Sequence, residues 1–297
     1  MFDVIVVGGG PAGLSAALML GRCRRRVLLC DEGQPRNRHS RALHGYLTRD
    51  GMDPSELNAL GRRELDHYGV ECRSVHVNGA RREGPVFRVD LRSGATELTR
   101  FLLIATGVVD DLPDLDGARE CYGRSLFHCP YCDGWERRDQ RLAAFGRGQS
   151  GVLLALSLKT WSSQVTLLTN GARVDPGGRA RLARNGVEVV TTRIARLVHD
   201  QGALAAVELQ SSAAIGLDAI FFTTAQHPRC NLAETLGCAF NRKGTVDTGA
   251  LSDTNVPGVF VAGDASHDAQ FVVVAAAEGV KAALAINQAL QREDLHP

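Results

Sequence analysis

The sequence predicts an α/β protein with two doubly wound parallel-sheet domains, the second of which is inserted into the first. Residues 3–31 and 142–168 each have the pattern of an apolar strand, a glycine-rich loop, a helix and a second apolar strand. A further apolar strand near residue 260 needs a sheet to join, so the C-terminal residues should complete the first domain. The length of 297 residues suits two domains of about 100 to 200 residues each.

The first glycine-rich loop follows directly on the strand at residues 3–7. Its residues Gly8-Gly9-Gly10-Pro11-Ala12-Gly13 have the spacing G-x-G-x-x-G and lead into a predicted helix. In such a loop Gly8 permits a tight turn, Gly10 lets the backbone approach a pyrophosphate, and Gly13 lets the helix pack closely on the strand. The unpaired N–H groups at the helix start can bind the phosphates.

The second strand of this unit supports the same interpretation. The apolar run Val27 to Cys30 ends in Asp31, about 20 residues beyond the glycines, where a carboxylate can accept hydrogen bonds from both ribose hydroxyls. Strand, loop, helix and acidic residue therefore predict a Rossmann-like dinucleotide-binding domain.

A second unit of the same order is less complete. The strand Leu142 to Phe145 precedes a loop whose glycines are Gly146, Gly148 and Gly151, and the strand Val165 to Leu168 comes after the helix. The next residues, Thr169-Asn170-Gly171, include neither an acidic residue for a ribose diol nor an arginine pair for a 2′-phosphate. Two interpretations stay open for this domain: a second nucleotide site, or a Rossmann-like scaffold that binds none.

The order of these segments predicts a discontinuous first domain. An apolar strand from Phe101 ends in Ala105-Thr106-Gly107 and a linker, and far downstream the strand Val259 to Ala262 ends in Gly263-Asp264. The carboxylate of Asp264 then lies at the carboxyl edge of the sheet, where cofactors bind in doubly wound folds. We expect residues 1–112 and 231–297 to form the first domain and residues 113–230 the inserted one.

Eight cysteines occur, but only Cys129 and Cys132 have motif spacing. A C-x-x-C pair at a helix start has one cysteine whose pKa is lowered by the helix dipole, which makes its thiolate the attacking sulfur. Asp133 follows directly and could exchange a proton with the sulfur if burial raises its pKa. The alternatives are half of a zinc site, without a second pair or histidine cluster to complete it, and two inert thiols. We predict a redox pair and no metal.

Composition narrows the choice of partners. Lys and Arg total 34 against 33 for Asp and Glu, which gives no electrostatic reason to expect nucleic acid or an anionic membrane as a partner. The N-terminus has neither the basic start nor the cleavage site of a signal peptide, and no apolar stretch is expected to approach the roughly 20 residues that cross a bilayer. A cytoplasmic protein is therefore expected.

The motif order resembles that of the low-molecular-weight thioredoxin reductases over nearly the whole chain. The matching segments are Gly8 to Gly13, Ala105-Thr106-Gly107, Cys129-Pro130-Tyr131-Cys132-Asp133-Gly134, Gly146 to Gly151 and Val261-Ala262-Gly263-Asp264. The resemblance implies a homodimeric FAD enzyme whose cysteine pair exchanges electrons with the flavin and with a dithiol or disulfide partner, either a thioredoxin-like protein or a small molecule. It also implies that Cys132 is the sulfur nearer the flavin and Cys129 the one that meets the partner.

The resemblance also assigns cofactor positions. Its FAD-binding positions fall on Gly8, Gly10, Pro11, Ala12, Gly13, Asp31, Ala105, Thr106, Gly107, Gly263 and Asp264. Gln270 and Phe271 are implied to lie beside the isoalloxazine, and Asn37 and His44 to face the flavin.

Two departures from the family pattern leave the electron source open. Pro130-Tyr131 replaces the small residues common between the cysteines, and the basic motif for NADPH is missing after Leu168. Both features resemble branches that do not use pyridine nucleotides, in which oxygen accepts electrons or ferredoxin donates them. We therefore favour dithiol–disulfide exchange without NADPH. An NADPH-dependent thioredoxin-disulfide reductase and a flavin redox sensor without turnover remain as alternatives.

Overall fold

The computed structural model describes residues 1–223, 225–266 and 269–295. The chain forms two compact units. Unit 1 contains residues 1–38, 46–109 and 226–297, and unit 2 contains residues 39–45 and 110–225. These divisions lie a few residues before the predicted boundaries at 112/113 and 230/231. A short segment, residues 39–45, groups with unit 2 although the sequence analysis assigned it to the first domain.

Unit 1 is built on one mixed sheet with the strand order β3-β2-β1-β6-β5-β4. The long strand β6 pairs in parallel with β1, while on its other side its first half pairs antiparallel with β5 and its second half pairs in parallel with β17. The strands of this sheet are β1 (Phe2–Val7), β2 (Val27–Cys30), β3 (Glu71–Arg73), β4 (Val77–Glu83), β5 (Val86–Leu91), β6 (Thr96–Ile104) and β17 (Val259–Val261).

Helices cover the sheet of unit 1 because its central strands are apolar on both faces. Helix α1 (Pro11–Arg22) begins with Pro at its first position, and α2 (Pro54–His67) begins after Asp53, whose carboxylate accepts a hydrogen bond from the Ser55 N–H at 2.7 Å. The C-terminal helix α8 (Val272–Leu295) packs against α1. Gly279 makes this possible, since a Cβ there would collide with the carbonyl of Ala12.

The expectation that no apolar stretch reaches membrane-spanning length is wrong for α8. Among the described residues, this 24-residue helix is long and apolar enough to cross a membrane by length and composition. It nevertheless buries one stripe of side chains against unit 1, which is typical of a core helix. The buried residues are Ala275, Glu278, Gly279, Ala282, Ala283, Ile286 and Leu290.

Unit 2 has a parallel sheet with the strand order β11-β10-β9-β15-β8. Two helices, α5 (Gly148–Leu158) and α6 (Pro176–Arg184), follow β9 and β10, and a separate antiparallel sheet joins β12, β13 and β14. The strands are β8 (Leu126–Phe127), β9 (Leu142–Phe145), β10 (Val165–Leu168), β11 (Glu188–Val190), β12 (Ile194–Asp200), β13 (Ala203–Leu209), β14 (Ala214–Gly216) and β15 (Ala219–Phe222).

The remaining elements are short. Helices α3 (Ala118–Cys121), α4 (Pro130–Asp133) and α7 (Leu232–Thr235) have one turn each, and 3₁₀ turns occur at Arg36–His39 and Trp135–Arg137. Strands β7 (Val108–Asp110) and β16 (Gln226–Pro228) pair with each other. They lie where the chain leaves unit 1 and where it returns. The α/β class and the two doubly wound sheets are thus confirmed.

Candidate functional site

The glycine loop of unit 1 brings helix α1 onto the carboxyl end of β1. Gly8 has a positive φ of 109°, and a Cβ there would collide with the carbonyl of Ala105 at the end of β6. Gly13 lies against the carbonyl of Gly8, so a side chain would push α1 off the strand. These contacts give the first and third glycines of the motif the packing roles that the sequence predicts.

Gly10, the second glycine of the motif, is not tightly packed as Gly8 and Gly13 are. No atom lies within 4 Å of the position that a Cβ on Gly10 would occupy. Gly10 is the residue before Pro11, so the open space lies at the N-terminus of α1, where unpaired backbone N–H groups attract an anion. The loop thus has room for a pyrophosphate where the motif requires it.

Asp31 stands at the carboxyl end of β2, beside the glycine loop. Its side chain would contact a Cβ on Gly9 and forms an ion pair with Arg62 of α2. The sequence did not indicate Arg62, because this partner of Asp31 lies on helix α2, 31 residues further along the chain. The pair holds the Asp31 carboxylate at the sheet edge, which is the position predicted for a ribose-binding group.

A second group of polar side chains gathers where β17 ends. Arg36 donates hydrogen bonds to the carboxylate of Asp264 at 2.9 Å and to the side-chain oxygen of Gln270 at 2.6 Å. The N–H of Gly263 donates to the buried carboxylate of Glu278 at 2.7 Å. Arg36 and Glu278 were missed in the sequence because nothing in their local pattern marks them. Arg36 thus brings Asp264 and Gln270 together, and their predicted positions at the flavin stay a prediction.

Other predicted cofactor residues line the same edge of unit 1. The Ala105 N–H donates to Val7 at 2.8 Å, and the Thr106 hydroxyl lies 3.4 Å from the Cys230 sulfur. Gly107 has a positive φ of 68°. Asn37 lies in the 3₁₀ turn that also contains Arg36, Phe271 immediately precedes α8, and Ala12 lies in the first turn of α1.

In unit 2, Cys129 and Cys132 form a disulfide. Cys129 is the N-cap of α4, whose first residue is Pro130. This helix has four residues, so it adds much less dipole to Cys129 than the longer helix that a C-x-x-C motif usually begins. It ends at Gly134, where a Cβ would collide with the Trp161 ring. The predicted helix start is therefore present, but only as one turn.

Asp133 is the partly buried acid of this loop. Burial raises the pKa of Asp133 to about 7. The negative charge of Glu136 raises it further, while the positive charges of His44 and Arg137 oppose the shift. A carboxyl with this pKa can hold or release a proton near neutral pH.

His44 lies in the same unit as the disulfide. Its Nε2 is 3.6 Å from the Glu136 carboxylate, and its charge lowers the pKa of Asp133. The structure thus places His44 in the same unit as the redox loop. Its predicted position facing the flavin stays a prediction.

The second glycine loop has the packing of a Rossmann unit. Gly146 and Gly151 approach so closely that a Cβ on either would collide with the other residue, and Gly148 has a positive φ of 56° with no atom near its Cβ position. Helix α5 begins at Gly148, three residues earlier than Gly151 suggested. The loop geometry is therefore compatible with a nucleotide.

The polar side chains after β10 form hydrogen bonds with the backbone of unit 2. The Asn170 side-chain oxygen accepts a hydrogen bond from the Ile194 N–H at 2.9 Å, and the Thr169 hydroxyl donates to the Ala172 carbonyl at 2.6 Å. Arg193 lies across Gly171, with its Nε 3.2 Å from the Cβ position. Sequence reasoning missed Arg193 because it reaches this point from beyond β11.

A dinucleotide cradle in one unit and a disulfide followed by a partly buried acid in the other define the class of flavin-dependent disulfide oxidoreductases. The model of the family described as pyridine nucleotide-disulphide oxidoreductase matches residues 2–279. The chain is similar to the "Probable thioredoxin reductase" of Arthroderma benhamiae, with 30% identity over 98% of this chain and 81% of that protein. It is also similar to the thioredoxin reductase aclD of Aspergillus oryzae, with 27% identity over 96% of this chain and 95% of that protein.

Solved structures agree with these relatives. The crystal structure of HlmI has a TM-score of 0.96 and 40% identity, covering 99% of this chain and 94% of that one. An oxidoreductase from Agrobacterium tumefaciens has a TM-score of 0.91 and 35% identity, covering 97% and 98%. The chain belongs to the pyridine nucleotide-disulphide oxidoreductase family. It is a flavoprotein of thioredoxin reductase type that uses FAD and acts on sulfur groups.

Proposed function

We propose that this protein oxidises a dithiol to a disulfide through Cys129 and Cys132, without NADPH as electron donor. The observation that carries the proposal is the position of Asp133, a partly buried carboxyl with a pKa near 7, immediately after Cys132. Such a group can supply the proton that one sulfur needs as the disulfide opens and take it back as the disulfide reforms.

The exchange would run in two attacks. A substrate thiolate attacks the Cys129 sulfur, the Cys129–Cys132 bond breaks, and Cys132 leaves as a thiolate that Asp133 can protonate. The second substrate thiol then attacks the substrate sulfur bound to Cys129, which releases a substrate disulfide and the Cys129 thiolate. Two electrons have then passed from the substrate to the cysteine pair, and the proton of the second substrate thiol is released to the solvent or to the Cys129 thiolate.

FAD, when bound, accepts the two electrons of the reduced pair and passes them to a final acceptor. We assign its binding to the residues at the carboxyl edge of the unit 1 sheet. The open position at Gly10 and the helix N-terminus would hold the pyrophosphate, Asp31 the adenosine ribose, and Asp264 with Gln270 the flavin end. The space at Gly10 supports this assignment, since a dinucleotide would fill it.

Independence from NADPH is supported by the residues after β10. A 2′-phosphate is usually bound by arginine at this strand end, but Asn170 is engaged with the Ile194 backbone and Thr169 with Ala172. The side chains nearest the expected phosphate position therefore serve the fold. Dioxygen or an electron-transfer protein such as ferredoxin would then be the electron partner.

The partner that meets the disulfide would be a small dithiol or a thioredoxin-like protein. Tyr131, between the two cysteines, is exposed, so a partner has access to this side of the loop. The fungal relatives named as thioredoxin reductases support the class of reaction. A cytoplasmic homodimer is the assembly we propose, on the family resemblance.

A second candidate function is NADPH-dependent reduction of a thioredoxin-like disulfide. It is favoured by Arg193, whose guanidinium lies against Gly171 at the end of β10, where it could replace the missing basic motif. The same cysteine pair and the same acid would then work in the opposite direction.

Steady-state turnover tests the proposal. Dithiothreitol serves as the dithiol and dioxygen or ferricyanide as the acceptor, and oxidised dithiothreitol is measured beside a reaction without enzyme. We expect turnover with dithiothreitol, its loss in Cys129→Ser and in Cys132→Ser, and normal turnover in the control Cys23→Ser, whose thiol lies at the end of α1. Normal turnover in either pair variant, or turnover only with NADPH and an added disulfide, would overturn the proposal.

A further inference from the structure

A polar cavity of about 760 Å³ lies at the amino edge of the unit 2 sheet. Its lining residues come from the loops that precede the strands: Ser125 before β8, Arg141 before β9, Gln164 before β10 and Asp218 before β15. The glycine loop at Gly146 follows β9 and lies at the opposite, carboxyl edge. The cavity is therefore separate from the position of a nucleotide, which binds at the carboxyl edge in this kind of fold.

Arginine dominates the lining of the cavity. Four arginines line it, Arg41, Arg124, Arg137 and Arg141, together with three aspartates. Arg141 is already neutralised, because it donates hydrogen bonds at 3.0 and 2.6 Å to the two carboxylate oxygens of Asp218. The two remaining aspartates, Asp139 and Asp200, are exposed and solvated. The lining therefore keeps three other positive charges, on Arg41, Arg124 and Arg137, beside these two negative charges.

Arg137 is held in place but retains an unused donor. One end of its guanidinium donates a hydrogen bond to the carbonyl of Arg124, and the central carbon of the guanidinium lies 5.4 Å from the centre of the Phe127 ring. Its Nε is buried and has no hydrogen-bond partner among the described residues. Because this nitrogen is enclosed by protein, the donors that Arg137 offers to a ligand in the cavity are those at the ends of its guanidinium.

Gln140 also lines the cavity. Its side-chain oxygen is buried and has no hydrogen-bond partner within the described residues, and its backbone carbonyl accepts a hydrogen bond from the Ser162 hydroxyl at 2.5 Å. Arg41, on the short segment that joins unit 2, is exposed and makes no side-chain hydrogen bond or ion pair with the residues that the structure describes. Together these residues provide two cations and an amide around a space of ligand size.

We propose that this cavity is a binding site for a small oxyanion, a phosphate or a carboxylate group, held by Arg137 and Arg41 with Gln140 beside them. Arginine binds phosphate and carboxylate groups alike through paired N–H donors. Both groups present negatively charged oxygens, in a tetrahedral arrangement in phosphate and a planar one in a carboxylate. The site lies outside both glycine loops, although Arg137 also acts on the pKa of Asp133. Its occupation by an anion does not depend on the direction of the thiol reaction.

Binding of two probes to the FAD-loaded protein tests the site. Inorganic phosphate and malonate are titrated separately by calorimetry at constant ionic strength, with chloride as the reference anion. We expect saturable binding of at least one probe, and binding of phosphate without malonate would identify a phosphate ligand. Arg137→Gln should weaken binding about tenfold or more, since it removes a charge-assisted donor.

Two further variants keep the test decisive. Arg41→Gln changes an exposed residue and should also weaken binding, so the result does not depend on whether Arg137→Gln folds well. Arg138→Gln is the matched control, because Arg138 stacks on Trp135 at 4.3 Å and does not line the cavity. The proposal is overturned if neither probe binds in a saturable way, which indicates an adventitious ion only, or if both cavity variants bind like the wild type.

Discussion

The side-chain oxygen of Asn170 accepts a hydrogen bond from the backbone N–H of Ile194 at 2.9 Å. Asn170 occupies the loop after β10, where a dinucleotide-binding unit usually carries its ribose or 2′-phosphate ligand. The bond ties this loop to the start of β12. The position that would decide nucleotide specificity in unit 2 is thus occupied by a structural contact.

Asn170→Ala should lower the free energy of unfolding by about 1 to 2 kcal/mol. The variant loses the hydrogen bond and forces alanine into the left-handed conformation that Asn170 adopts at φ 49°. Urea denaturation measures the change. Asn170→Gly loses only the hydrogen bond and should fall between the variant and the wild type. Equal stability of all three proteins would contradict the structural role.

Gly10 and Gly13 should respond differently to alanine. Gly10→Ala meets open space, and its φ of −77° suits alanine, so the apoprotein should keep its stability while FAD affinity falls about tenfold or more. Gly13→Ala collides with the Gly8 carbonyl and should destabilise the apoprotein itself. Thermal unfolding of apoprotein and FAD titration separate the two effects. Unchanged FAD affinity in Gly10→Ala would refute its position beside the pyrophosphate.

Asp133→Asn should make the protein more stable above pH 7. The folded pKa of about 7 exceeds the ordinary value near 4, so between these pH values the native carboxyl keeps a proton that the unfolded chain has lost. Stability therefore falls as pH rises through this window, and the penalty, up to about 4 kcal/mol, is complete above pH 7.

Denaturation curves at pH 4 and pH 8 test this sign. The asparagine variant should match the wild type at pH 4 and exceed it at pH 8. Asp139→Asn is the control, because Asp139 lies in the same loop, is exposed and already adopts a left-handed conformation at φ 62° that asparagine tolerates. A gain for Asp133→Asn that is equal at both pH values would show that its carboxyl is not shifted.

The sequence was most informative where a continuous apolar run defined a strand. The predicted bounds of β2, β9 and β10 agree with the structure, because a strand buried on both faces is a continuous apolar run in the sequence. The glycine loops were equally clear, since their spacing is set by local geometry. The helix start at the cysteine pair was also visible, but its restriction to the single turn of α4 was not.

Contacts at long range explain the rest of what was missed. Arg36 meets Asp264 across 228 residues of sequence, and Arg193 reaches Gly171 from the loop before β12. The position of Asp133 beside a cysteine was visible in the sequence, but its raised pKa depends on burial that only the fold provides. Local patterns could therefore locate the chemistry but not the groups that tune it.

The central claim is that electrons enter through the cysteine pair and not from a pyridine nucleotide. An anaerobic titration of the purified flavoprotein with dithiothreitol, NADPH and NADH, each followed by flavin absorbance in the visible range, tests it most directly. We predict rapid bleaching by dithiothreitol alone, with the colour returning when air is admitted. Rapid, stoichiometric bleaching by NADPH would contradict the claim and would assign Arg193 the role of the missing 2′-phosphate ligand.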